Sequence, residues 1–122
     1  MPDLEPPKDW SITETVDVLA RVDFLGTQEG GREQPLFGRL SYRPNHNFFA
    51  ADNRIMCMGE LRMPEDHITY PGDTVECVVR LILHPDIADT MQAGREWRIQ
   101  EGSKLVASAR VIEVKSRGRA SS

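Results

Sequence analysis

The sequence predicts an all-β fold of six or so strands, a small barrel or a sandwich. Two observations carry this reading. Apolar residues recur at every second position through several stretches, which is the spacing of a half-buried strand. Glycine- or proline-bearing turn sequences separate those stretches. The length of 122 residues suffices for one domain. A barrel is favoured over a sandwich because closure leaves no exposed edges.

Residues 1–13 form an acidic, proline-rich extended leader, and Trp10 is its one large apolar side chain. Exposing an indole is costly, so Trp10 is expected to dock on the body. The barrel domain is placed at residues 14–115. Its first strand puts Val16, Val18, Ala20, Val22 and Phe24 on one face and Asp17, Arg21 and Asp23 on the other, with Leu19 the exception. Glu29-Gly30-Gly31-Arg32 reads as a tight hairpin turn, since glycine accepts positive φ. Residues 36–42 are a less regular strand candidate, and residues 55–63 a short one. Pro71-Gly72-Asp73 fits a type II turn.

The alternation returns in Val75, Cys77, Val79, Leu81 and Leu83, opposed by Glu76 and Arg80. Residues 86–93 can form a turn or two of helix. Residues 96–101 give a fifth strand, and Glu101-Gly102-Ser103 a turn. Leu105, Ala107, Ala109 and Val111 define the sixth. Residues 116–122 read as a flexible basic tail.

Charge limits the function. With 15 basic and 19 acidic residues the net charge is −4. Lys115, Arg117 and Arg119 are the last three cations, so residues 1–114 carry 12 cations against 19 anions, a charge of −7. Such a body repels phosphate at long range, which disfavours sequence-blind nucleic-acid binding. No apolar run approaches the ~18–20 residues of a membrane-spanning helix, and the N-terminus lacks the pattern of a secretory signal. The chain is therefore expected in the cytoplasm, off the membrane. Cys57 and Cys77 stand in no metal-type spacing, and His46, His67 and His84 complete none. Two reduced core thiols are the expectation, with a structural disulfide or a reactive thiol as the alternatives.

No motif for chemistry is present. The sequence has no G-x-x-x-x-G-K-[ST] phosphate loop, no G-x-S-x-G and no H-E-x-x-H. A non-enzymatic domain without cofactor, metal or GTP is expected.

Five motifs follow one another in order. They are Glu29-Gly30-Gly31-Arg32, Tyr42-Arg43-Pro44, Tyr70-Pro71-Gly72-Asp73, Leu81-Ile82-Leu83-His84-Pro85, and Ile99-Gln100-Glu101-Gly102 leading into Lys104-Leu105-Val106. Over residues 17–115 this series resembles the third, C-terminal β-barrel domain of bacterial elongation factor Tu, without the GTPase that precedes it there. The resemblance implies an all-β fold, a six-stranded antiparallel closed β-barrel of the elongation factor Tu C-terminal domain type, and a binding module. In the full factor that domain packs on the GTPase, touches the T stem of aminoacyl-tRNA and helps bind the exchange factor.

Carried over position by position, the resemblance implies RNA or partner contacts at Arg32, Asn45, His84 and Gly102. Arginine and exposed backbone N–H groups suit phosphate. The acidic body, and Glu33 directly after Arg32, turn the expectation from tRNA toward a protein partner. That partner would be a translation factor or related protein, met on the face that would otherwise pack on a GTPase or exchange factor. The chain itself is expected as a monomer or weak homodimer. The alternatives are tRNA binding in translation elongation, or a piece of a longer translational GTPase-like protein.

Overall fold

In the computed structural model, which describes residues 3–119, the alternation of the first strand becomes one wall of a barrel. Strand β1 (Glu14–Phe24) turns Val16, Val18, Ala20, Val22 and Phe24 inward, where all five are buried. Strand β2 (Leu36–Phe37) is short, as is β3 (Asn45–Asn47). Strand β4 (Cys57–Arg62) follows, then the two-residue β5 (Ile68–Thr69) and β6 (Thr74–Leu83). After the single turn of helix α1 (Pro85–Ala88) come β7 (Glu96–Glu101) and β8 (Lys104–Arg119).

Six of these strands close into an antiparallel barrel in the order β1-β6-β4-β3-β7-β8, with β8 returning to β1. At one end, here the Phe24 end, β1 finishes, β6 begins and β7 turns into β8. At the other, the Leu83 end, β1 begins and β6 finishes, with Glu14 opposite Leu83. Inward residues from all six strands fill the interior, so the barrel is a packed core.

Five of the six expected strands coincide with barrel strands. The sixth does not. Within residues 36–42 the one named strand is β2, which pairs with β5 in a separate two-stranded ribbon, and Tyr42 alone bridges to Leu61 of the barrel strand β4. The chain turns after Phe37, where the Leu40 N–H reaches the Phe37 carbonyl at 2.9 Å. A Cβ on Gly38 would lie 1.8 Å from the Pro64 carbonyl oxygen, so only a bare Cα fits. The remaining barrel strand is β3, three polar residues that carry no apolar alternation.

Other expectations shift in register or extent. Gln100 faces Leu105 and Ile99 faces Ala107, which leaves Val106 as the extra residue of a bulge. Leu105 therefore points outward while Val106 and Ala107 are both buried. Strand β8 also runs beyond residue 115, pairing Ser116, Arg117 and Gly118 with Asp17, Val16 and Thr15. The expected tail thus begins inside a strand, and residues 120–122 lie outside the described residues. The Gly-Gly-Arg segment joins no two barrel strands. It follows a 3-10 turn at Thr27–Glu29, with Gly30 at φ +92°. The predicted type II turn is present, with Gly72 at φ +89° and the Asp73 N–H bonded to the Tyr70 carbonyl at 3.0 Å.

The leader is pinned to the barrel. The Leu4 N–H donates to the Phe48 carbonyl at 3.0 Å, and Asp3 meets Arg98 at 3.1 Å. Trp10 packs against the core and stands edge-on to His84, ring centroids 5.9 Å apart. Cys57 and Cys77 are free and buried, and burial pushes their thiols up to about 12 and about 11.

Candidate functional site

The four positions singled out in the sequence do not form one surface. Arg32 and Gly102 lie toward the Phe24 end, Asn45 stands partway along the wall between Gln100 and Met58, and His84 stands at the Leu83 end, directly after β6. Its Nδ1 accepts the Asp86 N–H at 3.0 Å, so the imidazole serves as the N-cap of α1. Trp10 covers the ring from the side. These contacts account for His84 locally.

Arg32 is committed to protein partners. Its guanidinium pairs with the Glu101 carboxylate, lies over the Tyr42 ring at 5.3 Å and donates from Nε to the Gln34 carbonyl at 3.2 Å. The Tyr42 hydroxyl donates to the same Glu101 oxygen at 2.7 Å. Burial, reinforced by that carboxylate, holds the Tyr42 phenol well above the usual tyrosine range. Arg32, Tyr42 and Glu101 thus tie the Gly-Gly-Arg loop to the end of β7.

Gly102, at φ +61°, makes the turn between β7 and β8. It shares a groove of about 450 Å³ with Asn45, Asn53, Arg54 and Met56. Asn45 is exposed at the start of β3, opposite Gln100 on one side and Met58 on the other. Asn45 and Gly102 are therefore neighbours, as a shared contact surface requires.

Asn45 also borders a larger groove, about 550 Å³, on the outer wall of β1, β6, β4 and β3. Met58 and Ile82 sit directly opposite each other across β4 and β6. Met58 is 69% exposed, the most exposed of the large apolar side chains among the described residues. Arg43, Arg62 and Arg80 surround the pair, and Glu60 is the one acidic residue of the lining. The Ser41 hydroxyl donates to Glu60 at 2.6 Å and Arg43 at 3.3 Å. These bonds hold the Glu60 carboxyl below its usual range. Arg80 grips Asp17 with two bonds of 2.9 Å. The wall is thus an apolar pair within a net basic frame.

The sequence reading missed a third cluster, beside β3 and β7. Asn47 and Gln100 are buried and bonded to each other at 2.8 Å. Arg95, only 4% exposed, lies over the Phe48 ring at 5.4 Å and donates from Nη1 to the Glu96 carbonyl at 3.1 Å. Its Nε and Nη2 have no hydrogen-bond partner among the described residues. Burial lowers the Arg95 pKa, and the charge of Asp3 opposes that shift. The run Asn45-His46-Asn47-Phe48-Phe49 was the available signal, because polar residues flanked by two aromatics imply polar groups at the edge of a core.

No group of three or more His, Cys, Asp or Glu side chains stands in a metal-binding arrangement among the described residues. No family model matches the chain.

Proposed function

We propose that this chain is a non-catalytic protein-binding module that engages a partner through the Met58–Ile82 groove. The carrying observation is the exposed Met58 facing Ile82 inside a frame of three arginines. Methionine adapts to varied apolar surfaces, and arginine at the rim of an apolar patch is a usual composition for an interface. The matching partner segment carries apolar side chains flanked by acidic ones. The groove carboxylate argues against acid–base chemistry, because Glu60 is held ionised by Ser41 and Arg43.

The ordered motifs support a finer reading, kinship with the C-terminal barrel of elongation factor Tu. In that reading the module uses a face that would otherwise meet a GTPase or exchange factor, inside the cytoplasm. The closed six-stranded barrel agrees with that kinship without requiring it. tRNA binding is the weaker reading, since Arg32 is neutralised by Glu101 and His84 lies at the opposite end.

Cross-linking and affinity capture with the wild-type chain, compared with Met58→Glu/Ile82→Glu, test the proposal. The expected result is a reproducible partner that the double variant loses. Unchanged capture by the variant would sink the groove assignment. Titration of aminoacyl-tRNA at two salt concentrations tests the weaker reading, which requires tight binding with a steep salt dependence.

A further inference from the structure

Arg95 is the least satisfied charged group among the described residues. A guanidinium has five N–H donors and no means of shedding its charge near neutral pH. Burying one with two nitrogens unpartnered is costly, and a fixed anion nearby offsets that cost. Asp3 is the residue whose charge does so. Asp3 and Arg95 line the same cavity of about 250 Å³, with Arg98, Asn47 and Ser108.

The leader approaches this cavity with two adjacent groups. The Asp3 carboxylate accepts from Arg98 Nη1 at 3.1 Å, and the Leu4 N–H donates to the Phe48 carbonyl at 3.0 Å. Arg98 Nη1 also donates to the Phe49 carbonyl at 2.8 Å, which fixes its direction. The site therefore combines guanidinium donors that need a carboxylate with a backbone carbonyl that needs an N–H. A free anion meets only the first requirement, and the carbonyl repels it. An acidic residue followed by a peptide N–H meets both.

We propose that Arg95, Arg98 and the Phe48 carbonyl form a second binding site, for an acidic residue within an extended peptide, and that Asp3–Leu4 occupies it in cis. The leader is then a latch that an acidic peptide displaces. The site lies just past the end of β3 and at the start of β7, and does not rest on the Met58–Ile82 groove. A tethered leader competes at an effective concentration of about millimolar, so wild type binds such a peptide weakly.

The test uses the full chain and a fluorescent peptide with the sequence of residues 1–9, read by anisotropy. Asp3→Lys sets like charge against Arg98 and opens the latch. The peptide is expected to bind Asp3→Lys at least about tenfold more tightly than wild type. Adding Arg98→Gln to that variant removes the gain. Peptides with Asn in place of the aspartate at position 3, or N-methylated at the following leucine, bind poorly, and inorganic phosphate fails to compete. Exchange of the Leu4 amide accelerates in Asp3→Lys. Equal binding by wild type and Asp3→Lys, or none by either, overturns the proposal. So does full binding by the N-methyl peptide, competition by phosphate, or an unchanged Leu4 exchange rate.

Discussion

The Trp97 indole N–H donates to Nδ1 of His46 at 3.0 Å inside the barrel. The bond fixes a neutral imidazole with its proton on Nε2. His46 is completely buried, and burial pulls its pKa from 6.5 down to about 4, with the Gly59 backbone opposing weakly. The folded state therefore binds fewer protons than the unfolded state between those values. Stability is fully present above about 6.5 and falls as pH drops toward about 4. Urea unfolding is expected to show a loss of about 2–3 kcal/mol between pH 7 and pH 4.5. His46→Gln keeps an acceptor for the indole but cannot titrate, so most of that slope should vanish. An equal slope in the variant would assign the effect elsewhere.

The same ring sets a second expectation. A Cβ on Gly59 would lie 2.7 Å from His46 Cδ2 and Nε2 and 2.8 Å from Leu81 Cδ2. Both neighbours are enclosed and cannot swing into solvent. Gly59→Ala is expected to destabilise by about 1–3 kcal/mol through overpacking, measured by urea unfolding at pH 7. Gly102→Ala should cost something for a different reason. Nothing lies within 4 Å of its added methyl, so the penalty comes from φ +61° alone.

The contrast between these positions reflects what the sequence made legible. The walls β1 and β6 could be read directly, because solvent lies on one side and core on the other, and period 2 follows. Val16 to Phe24 and Cys77 to Leu83 obey it. Strand β3 escaped because His46 takes an inward place without being apolar, and a three-residue strand offers no period to count. Leu105 was misassigned because a bulge moves one residue and inverts the alternation locally. The site was less legible than the fold. Arg32 and Gly102 were marked as contacts, yet the carboxylate that neutralises Arg32 comes from position 101, 69 residues away. Such a pairing exists only once β7 has been folded against the loop.

For His84, capping and RNA contact predict different substitutions. Asparagine can accept the Asp86 N–H in place of Nδ1, while alanine cannot. His84→Asn is expected to be near neutral and His84→Ala to cost about 1 kcal/mol in thermal or urea unfolding. Neither should alter tRNA affinity. If both variants leave stability untouched while tRNA binding falls, the capping role is wrong.

Tyr42 offers a titration of its own at the Phe24 end. Its phenol donates to Glu101, which also holds Arg32, and burial next to that carboxylate raises its pKa from 10.0. The unfolded chain therefore releases this proton first. The stability that Tyr42 provides is complete below pH 10 and drains away as pH rises above it. Absorbance at 295 nm should show one tyrosine ionising only with unfolding, and Tyr42→Phe should remove that late step. The variant should also start out less stable, by about 1 kcal/mol, because Glu101 loses a donor in a partly buried place. Above pH 10 the gap between the two proteins should narrow, since wild type alone loses the contribution of a protonated phenol. A gap that stays constant across that range would mean that the phenol proton is not held by Glu101.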